Sequence, residues 1–262
     1  TPAWVVDYQT IDTPEKLQTL TAAMAAQPRL SVDTETTSVT ATQAELVGVS
    51  VAWEAGTGYY IPVKGPAGEQ TLPQEMVVTA LRPILENPTI AKVGQNLKYD
   101  QIVFRGVGIN LQGVAFDTLL AAYLLDAGER NHNLDELAQR YLNHTNITIE
   151  SLIGSGKNQR RMNEAPVKDV TKYAAEDADV ALRLVDLLEP RLAEQGLTEL
   201  FRTVEMPLVD VLVDLECTGI RINPERLAEL SARYTVRMAE LEQEIYAIAG
   251  HEFNIASPKQ LG

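Results

Sequence analysis

Strand-like sequence runs from residue 30 to residue 63, as LSVDTETT (30–37), ELVGVSVAW (45–53) and GYYIPV (58–63). Apolar residues alternate with small or polar ones in these runs, and the glycine-containing segment EAGTG separates the last two. Such a pattern is typical of strands joined by turns. We therefore predict an antiparallel meander of three strands at the start of a mixed sheet.

Helical patterns alternate with extended ones in the remainder of the first 195 residues. Asp117 is a candidate N-cap, residues 143–166 resemble a loop over a working surface, and Pro190 is expected to bend or interrupt a long helix at about 167–195. The alternation indicates an α/β domain. The sequence predicts helices at MVVTALRPIL, NLKYDQIVFRG, FDTLLAAYLLDA and NLDELAQRYL, and a short buried strand at IAKVGQ.

The chain after residue 195 has a helical character throughout. LTELFRTVEMPLVDVLVDLECTG predicts a helical region with a break at Pro207 and a C-cap at Gly219. Asn223 and Pro224 then begin a long polar helix, with asparagine as N-cap and proline at the first position. We therefore expect one domain at residues 1–195 and an all-α segment at 196–262.

Composition limits the classes of function. The 22 basic and 36 acidic residues give a net charge of −14, which argues against a protein that grips duplex DNA mainly through its phosphates. Cys217 is the sole cysteine, which fits a reducing cytoplasm. No apolar run approaches the roughly 20 residues needed to span a bilayer, so no membrane partner is expected. The chain starts without methionine, and we expect a piece of a longer protein.

Carboxylates occur in three separated segments: Asp33 and Glu35 in SVDTETT, Asp100 in GQNLKYD, and Asp177 in YAAEDAD. Asp33 and Glu35 are two residues apart on a predicted strand, so both side chains leave the same face. Tyr173 precedes Asp177 by one helical turn. Oxygen-only clusters bind Mg²⁺ or Mn²⁺, and two ions about 4 Å apart can clamp both oxygens of an in-line phosphodiester cleavage.

These acidic motifs are weak one by one. A solvated strand end would explain Asp33 and Glu35, and a helix surface would explain Asp100. The prediction of a metal-dependent nuclease therefore requires that the three segments converge. We expect Glu176 and Asp179 to be solvated neighbours of Asp177.

The basic and aromatic candidates are less decisive. Lys157, Arg160 and Arg161 either meet the substrate backbone or belong to a solvated loop, and the sequence does not choose between these interpretations. Trp4 and Trp53 are expected to pack against the sheet or core.

The ordered trio of acidic motifs resembles the three motifs of the DEDD exonuclease superfamily, in the variant whose third motif carries tyrosine. GQNLKYD, FDTLLAAYLL, GSGKNQ and YAAEDADVALRL are similar to the proofreading exonuclease domain of family A bacterial DNA polymerases, the polymerase I large-fragment type. VEMPLVDVLVDLECTGIRIN and EFNIASPKQLG resemble the start of that family's polymerase domain. The resemblance implies a ribonuclease H-like mixed sheet flanked by helices, followed by the beginning of the polymerase thumb.

The resemblance also implies roles for individual residues. Two divalent cations, Mg²⁺ or Mn²⁺, would be held by the four carboxylates, while Tyr173 and Glu35 orient the attacking water. The terminal nucleotide of a frayed, single-stranded DNA 3′ end would be contacted, and 5′-mononucleotides would be released stepwise. The metal ligands would be Asp33, Glu35, Asp100 and Asp177, and the nucleotide contacts Gln95, Asn96 and Tyr99.

The implied partner, besides DNA, is the rest of the polymerase chain, in a protein expected to be monomeric. The polymerase carboxylates are absent from the sequence, so no DNA synthesis is expected. Two departures from the family pattern, Asn131 in place of arginine and Ile149 in place of phenylalanine, are expected to weaken single-strand binding.

Two alternatives remain. A ribonuclease D-like RNA 3′-exonuclease shares the three motifs, although the thumb-like tail argues against it. A catalytically silent exonuclease fold that supports a polymerase would be expected to lose motif carboxylates, whereas this chain keeps all four and the tyrosine.

Overall fold

The computed structural model describes residues 4–156 and 159–262. They form two compact units, which divide between Thr218 and Gly219. The domain boundary expected at residue 195 stays a prediction, because a compact unit is not the same as a functional domain. Among the described residues, no helix combines the length and the apolar character required to cross a membrane.

The first unit is built on a mixed sheet of six strands. They are β1 Asp7–Thr10, β2 Arg29–Thr36, β3 Leu46–Ala52, β4 Thr57–Pro62, β5 Ala91–Gly94 and β6 Val114–Asp117. Their order in the sheet is β1-β4-β3-β2-β5-β6. β3 pairs antiparallel with both β2 and β4, which confirms the predicted meander, and the other neighbours pair in parallel. β1 and β6, which have four residues each, carry no strand signal in the sequence that would predict them.

Helices cover both faces of this sheet. The helices of this unit are α1 Pro14–Ala25, α2 Gln74–Leu85, α3 Leu97–Gly106, α4 Thr118–Leu125, α5 Leu134–Leu137, α6 Ile149–Ile153, α7 Val167–Glu194, α8 Thr198–Leu200 and α9 Met206–Thr218. On one face α1, α2 and α3 bury Met24, Leu81 and Phe104 against Leu30 and Val32 of β2. On the other face α4 and α7 pack on the sheet in a second apolar cluster.

The long helix α7 continues through Pro190, so the expected interruption is wrong, and the alternative, a bend at this proline, stays a prediction. Proline removes the hydrogen bond to the carbonyl four residues earlier, here that of Asp186. Both Pro190 and Asp186 are exposed, so water can bind the freed carbonyl and the helix continues. The predicted break at Pro207 takes the form of a π-helical turn, Phe201–Glu205, that runs directly into α9.

The segment 143–166 is more structured than the predicted loop. It contains α6 and a 3₁₀ turn at Met162–Glu164. Thr148 caps α6 by accepting a hydrogen bond from the Ser151 backbone at 3.3 Å. Short capped helices of this kind carry too few residues to show a helical period in sequence.

A close approach between β4 and α7 depends on Gly58. A Cβ atom at this position would lie 2.7 Å from the carbonyl oxygen of Ala175. Glycine therefore allows α7 to lie directly on the sheet at the turn that carries Asp177.

The second unit, Gly219–Gly262, contains α10 Pro224–Ala249 and α11 Pro258–Leu261. Asn223 caps α10 by accepting a hydrogen bond from the Arg226 backbone at 3.0 Å, as predicted. Gly219 has φ of 68°, the left-handed conformation expected of a helix C-cap.

Candidate active site

The end of β2 presents Asp33 and Glu35 on the face of the sheet that α7 covers. Strand alternation places Thr34 on the opposite face, toward α3. β3 lies alongside, and its Ser50 donates a hydrogen bond to Asp33 at 3.4 Å. The predicted common orientation of the two acids is therefore found in the structure.

Asp177 of α7 joins these two acids. One carboxylate oxygen from each of Asp33, Glu35 and Asp177 lies within 4.8 Å of the other two. The strand fixes the first two positions and the close packing of α7 at Gly58 fixes the third. Two of the three separated acidic segments thus converge within the span of a metal site.

Asp100 approaches the cluster from the other side of the sheet. The hydroxyl of Thr34 donates a hydrogen bond to its Oδ1 at 2.6 Å, and both side chains are buried. Within the described chain, Asp100 lies outside the set of three mutually close carboxylates. The Thr34 contact was missed in the sequence, where the only signal is its place between Asp33 and Glu35.

Burial dominates the electrostatics of this site, and repulsion between the acids adds to it. Burial raises the pKa of Asp33 to about 6, and the Ser50 hydrogen bond opposes the rise. Burial and then the charge of Asp33 raise the pKa values of Glu35, Asp100 and Asp177 well above the ordinary range. Among the described residues, none of the four pairs with a lysine or arginine. Buried acids without a cationic partner are unfavourable.

The donor set fits hard divalent cations. All four side chains offer oxygen, which Mg²⁺ and Mn²⁺ prefer to imidazole or thiolate. The four acids repel one another when ionised, and a cation would remove that repulsion. The residues present therefore suit a metal centre.

Tyr173 lies one turn before Asp177 on α7 and is half-buried. Burial and then the charge of Asp177 raise the pKa of its phenol. The hydroxyl is therefore protonated at neutral pH and can donate a hydrogen bond into the site.

Asp117 fixes the start of two helices. Its carboxylate accepts from the backbone of Leu119 at 2.9 Å, the predicted N-cap of α4. It also accepts from the backbone amides of Asn96 at 3.0 Å and Leu97 at 2.8 Å, at the start of α3. Asn96 has the left-handed φ of 59° that this turn requires. This second role, which positions the helix carrying Asp100, was not visible in the sequence.

The three side chains predicted to contact the nucleotide differ in exposure and in their hydrogen bonds within the protein. Gln95 donates from Nε2 to the carbonyl of His132 at 2.8 Å, so its amide is already engaged. The phenol of Tyr99 hydrogen bonds to Thr36 and to the Ser38 carbonyl. Asn96 is exposed. Their role in binding a nucleotide stays a prediction.

An open cleft of about 660 Å³ lies over the acids. Ile149 and the two arginines of the 159–161 segment line it, whereas Asn131 is not among its lining residues. Lys157 lies outside the described residues. All eight predicted site residues line this single cleft: Asp33, Glu35, Gln95, Asn96, Tyr99, Asp100, Tyr173 and Asp177.

The expectation for Glu176 was wrong, because this side chain is buried rather than solvated. It is 5% exposed and accepts from the Ile147 backbone at 2.6 Å and from His144 at 2.9 Å. The segment 143–148, which follows α5, covers this side of α7. Trp4 packs there too, with its ring 3.7 Å from that of His144.

The expectation for Asp179 was wrong for the same reason. Asp179 is fully buried and accepts hydrogen bonds from the Tyr8 hydroxyl, the Gly56 backbone and Arg183, each at 2.9 Å. β1, which the sequence did not reveal, supplies Tyr8 and covers this side of the helix.

Comparison with known proteins places these features in a family. The family of DNA polymerase A 3′-5′ exonucleases matches residues 8–193. DNA polymerase I of Chloroflexus aurantiacus is 42% identical over 94% of this chain and 26% of its own length. DNA polymerase I of Pseudomonas aeruginosa is 41% identical over 89% of this chain and 26% of its own length. The chain therefore spans about a quarter of these relatives.

Solved structures agree with the fold. The POL domain of Pol1 from M. smegmatis, in complex with DNA primer-template and dNTP, superposes with a TM-score of 0.76 at 24% identity, covering 97% of this chain and 39% of that one. Brucella melitensis NrnC with bound Mg²⁺ gives a TM-score of 0.54 at 20% identity, covering 97% and 99%. These likenesses show a ribonuclease H-like fold.

Proposed function

This chain belongs to the DNA polymerase A 3′-5′ exonuclease family, and we propose that it shortens single-stranded DNA from the 3′ end by hydrolysis that requires two divalent cations. The observation that carries the proposal is the convergence of Asp33, Glu35 and Asp177 at the base of one cleft. Acids with raised pKa values that lack a basic partner among the described residues would favour a bound cation, and the cleft offers a path for a strand end.

The four carboxylates are the proposed metal ligands. Asp33, Glu35 and Asp177 would share the first cation, and Asp33 with Asp100 would serve the second, either Mg²⁺ or Mn²⁺. When bound, the cations would lower the pKa of a water molecule and neutralise charge on the phosphoryl oxygens. Thr34 holds Asp100 in place through its 2.6 Å hydrogen bond.

Tyr173 and Glu35 are the proposed groups that orient the attacking water. The protonated phenol can donate one hydrogen bond, and the Glu35 carboxylate can accept one. Catalysis would consist mainly of holding the water in line with the scissile bond and stabilising developing charge.

The proposed substrate is the frayed 3′ end of a primer, released as 5′-mononucleotides. Asn96 is free to contact the terminal nucleotide, and Gln95 and Tyr99 form the wall beside it. We propose that the domain acts in the cytoplasm as part of a monomeric polymerase chain. Because this chain has a net charge of −14, we propose that strong binding to duplex DNA comes from other parts of the polymerase.

Digestion of a 3′-labelled DNA 20-mer tests this function, with an RNA of the same sequence as comparison. We expect the label to appear as a 5′-mononucleotide with Mg²⁺ or Mn²⁺ and not with EDTA. Asp177→Asn should lower the rate by at least about a hundredfold, as expected when transition-state charge loses its stabilisation. Faster digestion of RNA would support a ribonuclease D-like activity, and no digestion of either strand would support a silent fold.

A further inference from the structure

The cleft over the acids has two basic side chains among its described lining residues, Arg160 and Arg161. They stand on the segment that follows α6, at the mouth of a cleft whose base holds Asp33, Glu35 and Asp177. Two neighbouring guanidinium groups in the same cleft as the metal-site acids are unusual in a chain with a net charge of −14.

The segment that carries the two arginines is held by hydrogen bonds. The backbone of Arg160 donates to Ile153 at 3.0 Å, and its Nη2 donates to the Leu152 carbonyl at 3.0 Å. The backbone of Arg161 donates to the Glu164 carboxylate at 2.8 Å. Met162, which follows, is buried. The segment is therefore fixed on both sides, although the two arginine side chains are exposed.

Neither arginine forms an ion pair with the acids of the cleft or with any other carboxylate among the described residues. Glu45 has a lowered pKa, chiefly through its hydrogen bond to Lys64 and to a smaller extent through Arg161. Glu45 is tied to Thr37 by a backbone hydrogen bond of 3.1 Å, and Thr37 lines the cleft. Arg161 is thus close enough to lower the pKa of Glu45, whose backbone partner Thr37 lines the same cleft.

We propose that Arg161, supported by Arg160, binds a phosphodiester group of the substrate strand other than the one being cleaved. This inference rests on the proposed function. Arginine presents a planar fork of donors that matches phosphate oxygens. Among the described residues, neither guanidinium pairs with the metal-site acids, so both remain available to a phosphate farther along the strand. Arg161 makes the contact, and Arg160, with one nitrogen committed to Leu152, adds charge.

Two substrates separate strand binding from chemistry. A single-stranded DNA 20-mer has phosphates upstream of the cleaved bond, whereas thymidine 5′-monophosphate p-nitrophenyl ester has none. For Arg161→Gln we expect KM on the 20-mer to rise about tenfold with kcat nearly unchanged, since a charge-assisted hydrogen bond is lost. Hydrolysis of the ester should match the wild type.

The salt dependence of kcat/KM is a second measurement, and it would not change if Arg161 had only a structural role. Loss of one phosphate contact should reduce the slope of log(kcat/KM) against log salt concentration by about 0.7 for a single strand. Arg161→Lys should recover part of the affinity, because it restores the charge without the fork. Arg160→Gln should show a smaller rise in KM.

Lys172→Gln is the matched control. Lys172 is exposed on α7, does not line the cleft and carries the same charge. Fluorescence anisotropy of a 5′-labelled 20-mer in Ca²⁺ measures strand affinity without turnover. Equal KM, affinity and salt slope for Arg161→Gln, Lys172→Gln and wild type would overturn the inference. If the wild type cleaved neither substrate, the proposed function would fail, while the anisotropy would still decide the role of Arg161.

Discussion

Asp33 is a site residue whose ionised carboxylate lowers the stability of the folded protein. Burial raises its pKa to about 6 from an ordinary value of 3.8, so the folded state binds a proton more readily than the unfolded chain. The contribution of this bound proton to the free energy of unfolding is fully present below about pH 4 and is lost as the pH rises through 6. The pKa values of Glu35, Asp100 and Asp177 are raised in the same direction, which extends the loss to higher pH.

We therefore expect the metal-free protein to melt at lower temperature at pH 8 than at pH 5.5. Added Mg²⁺ should restore the melting temperature at pH 8, because it neutralises the repelling acids. Scanning fluorimetry in EDTA and in Mg²⁺ measures both effects. A melting temperature that is constant with pH and unaffected by Mg²⁺ would contradict this electrostatic description.

Asp177→Asn should separate stability from activity. The substitution keeps the volume and removes one half-buried charge that Asp33 and Glu35 repel, so the metal-free protein at pH 8 should become more stable while nuclease activity is lost. Asp169→Asn, at an exposed position in the first turn of the same helix, is the control: it should leave activity unchanged and slightly lower stability, the opposite sign to Asp177→Asn. Thermal melts and 20-mer digestion of both variants provide the comparison. A lower melting temperature for Asp177→Asn than for the wild type would contradict the predicted stabilisation.

Lys92 is a fully buried cation away from the cleft. Its Nζ donates to the carbonyls of Asn87 at 2.6 Å and Ile90 at 2.9 Å, and burial lowers its pKa to about 8. Below pH 8 the charged, buried Lys92 lowers the free energy of unfolding. As the pH rises from 8 to 10.5 the folded protein loses this proton before the unfolded chain does, so the free energy of unfolding rises.

The free energy of unfolding should therefore rise between pH 7.5 and 9.5 relative to that of Lys92→Met, by at most about 3 kcal/mol. Urea titrations of both proteins at each pH measure the difference. A difference that does not change with pH would show that Lys92 keeps an ordinary pKa.

At the scale of elements, α3 and α4 depend on the single carboxylate of Asp117. It accepts three backbone hydrogen bonds, from Asn96, Leu97 and Leu119. Asp117→Ala should cost about 3 kcal/mol of unfolding free energy, because buried donors lose a charged acceptor. It should also lower nuclease activity, since α3 positions Asp100. Asp117→Asn keeps an acceptor and should cost less in urea unfolding, and equal stability of all three proteins would refute the assignment.

Sequence periodicity predicted the elements that carry strong local signals. The two-residue spacing of Asp33 and Glu35 gave their common face, and the caps at Asp117 and Asn223 were correct. The resemblance of three ordered motifs to a known family predicted eight residues, all of which line the cleft. Local patterns were sufficient wherever the determining contacts lie within a few residues.

Long-range partners limited the rest of the prediction. Glu176 and Asp179 look like surface acids on a helix, and their burial depends on His144 and Tyr8, which lie 32 and 171 residues away. Thr34 reaches Asp100 across 66 residues. Such hydrogen bonds follow from how elements pack, so a single sequence carries no periodic signal for them.

At the scale of the molecule, every residue of the cleft precedes the division at Thr218. A protein ending at residue 218 should therefore hydrolyse thymidine 5′-monophosphate p-nitrophenyl ester with the same kcat as the full chain. The melting temperature of the shortened protein checks that it is folded. A folded fragment with a strongly reduced kcat would show that residues 219–262 contribute to the chemistry.

Acids from distant segments are proposed to hold a pair of divalent cations, and anomalous diffraction from Mn²⁺-soaked crystals would locate such ions. Two peaks about 4 Å apart are expected, one among Asp33, Glu35 and Asp177 and the other on the Asp100 side of Asp33. Asp177→Asn crystals should lose the first peak. Absence of any manganese peak between these carboxylates, in crystals of active protein, would contradict the account.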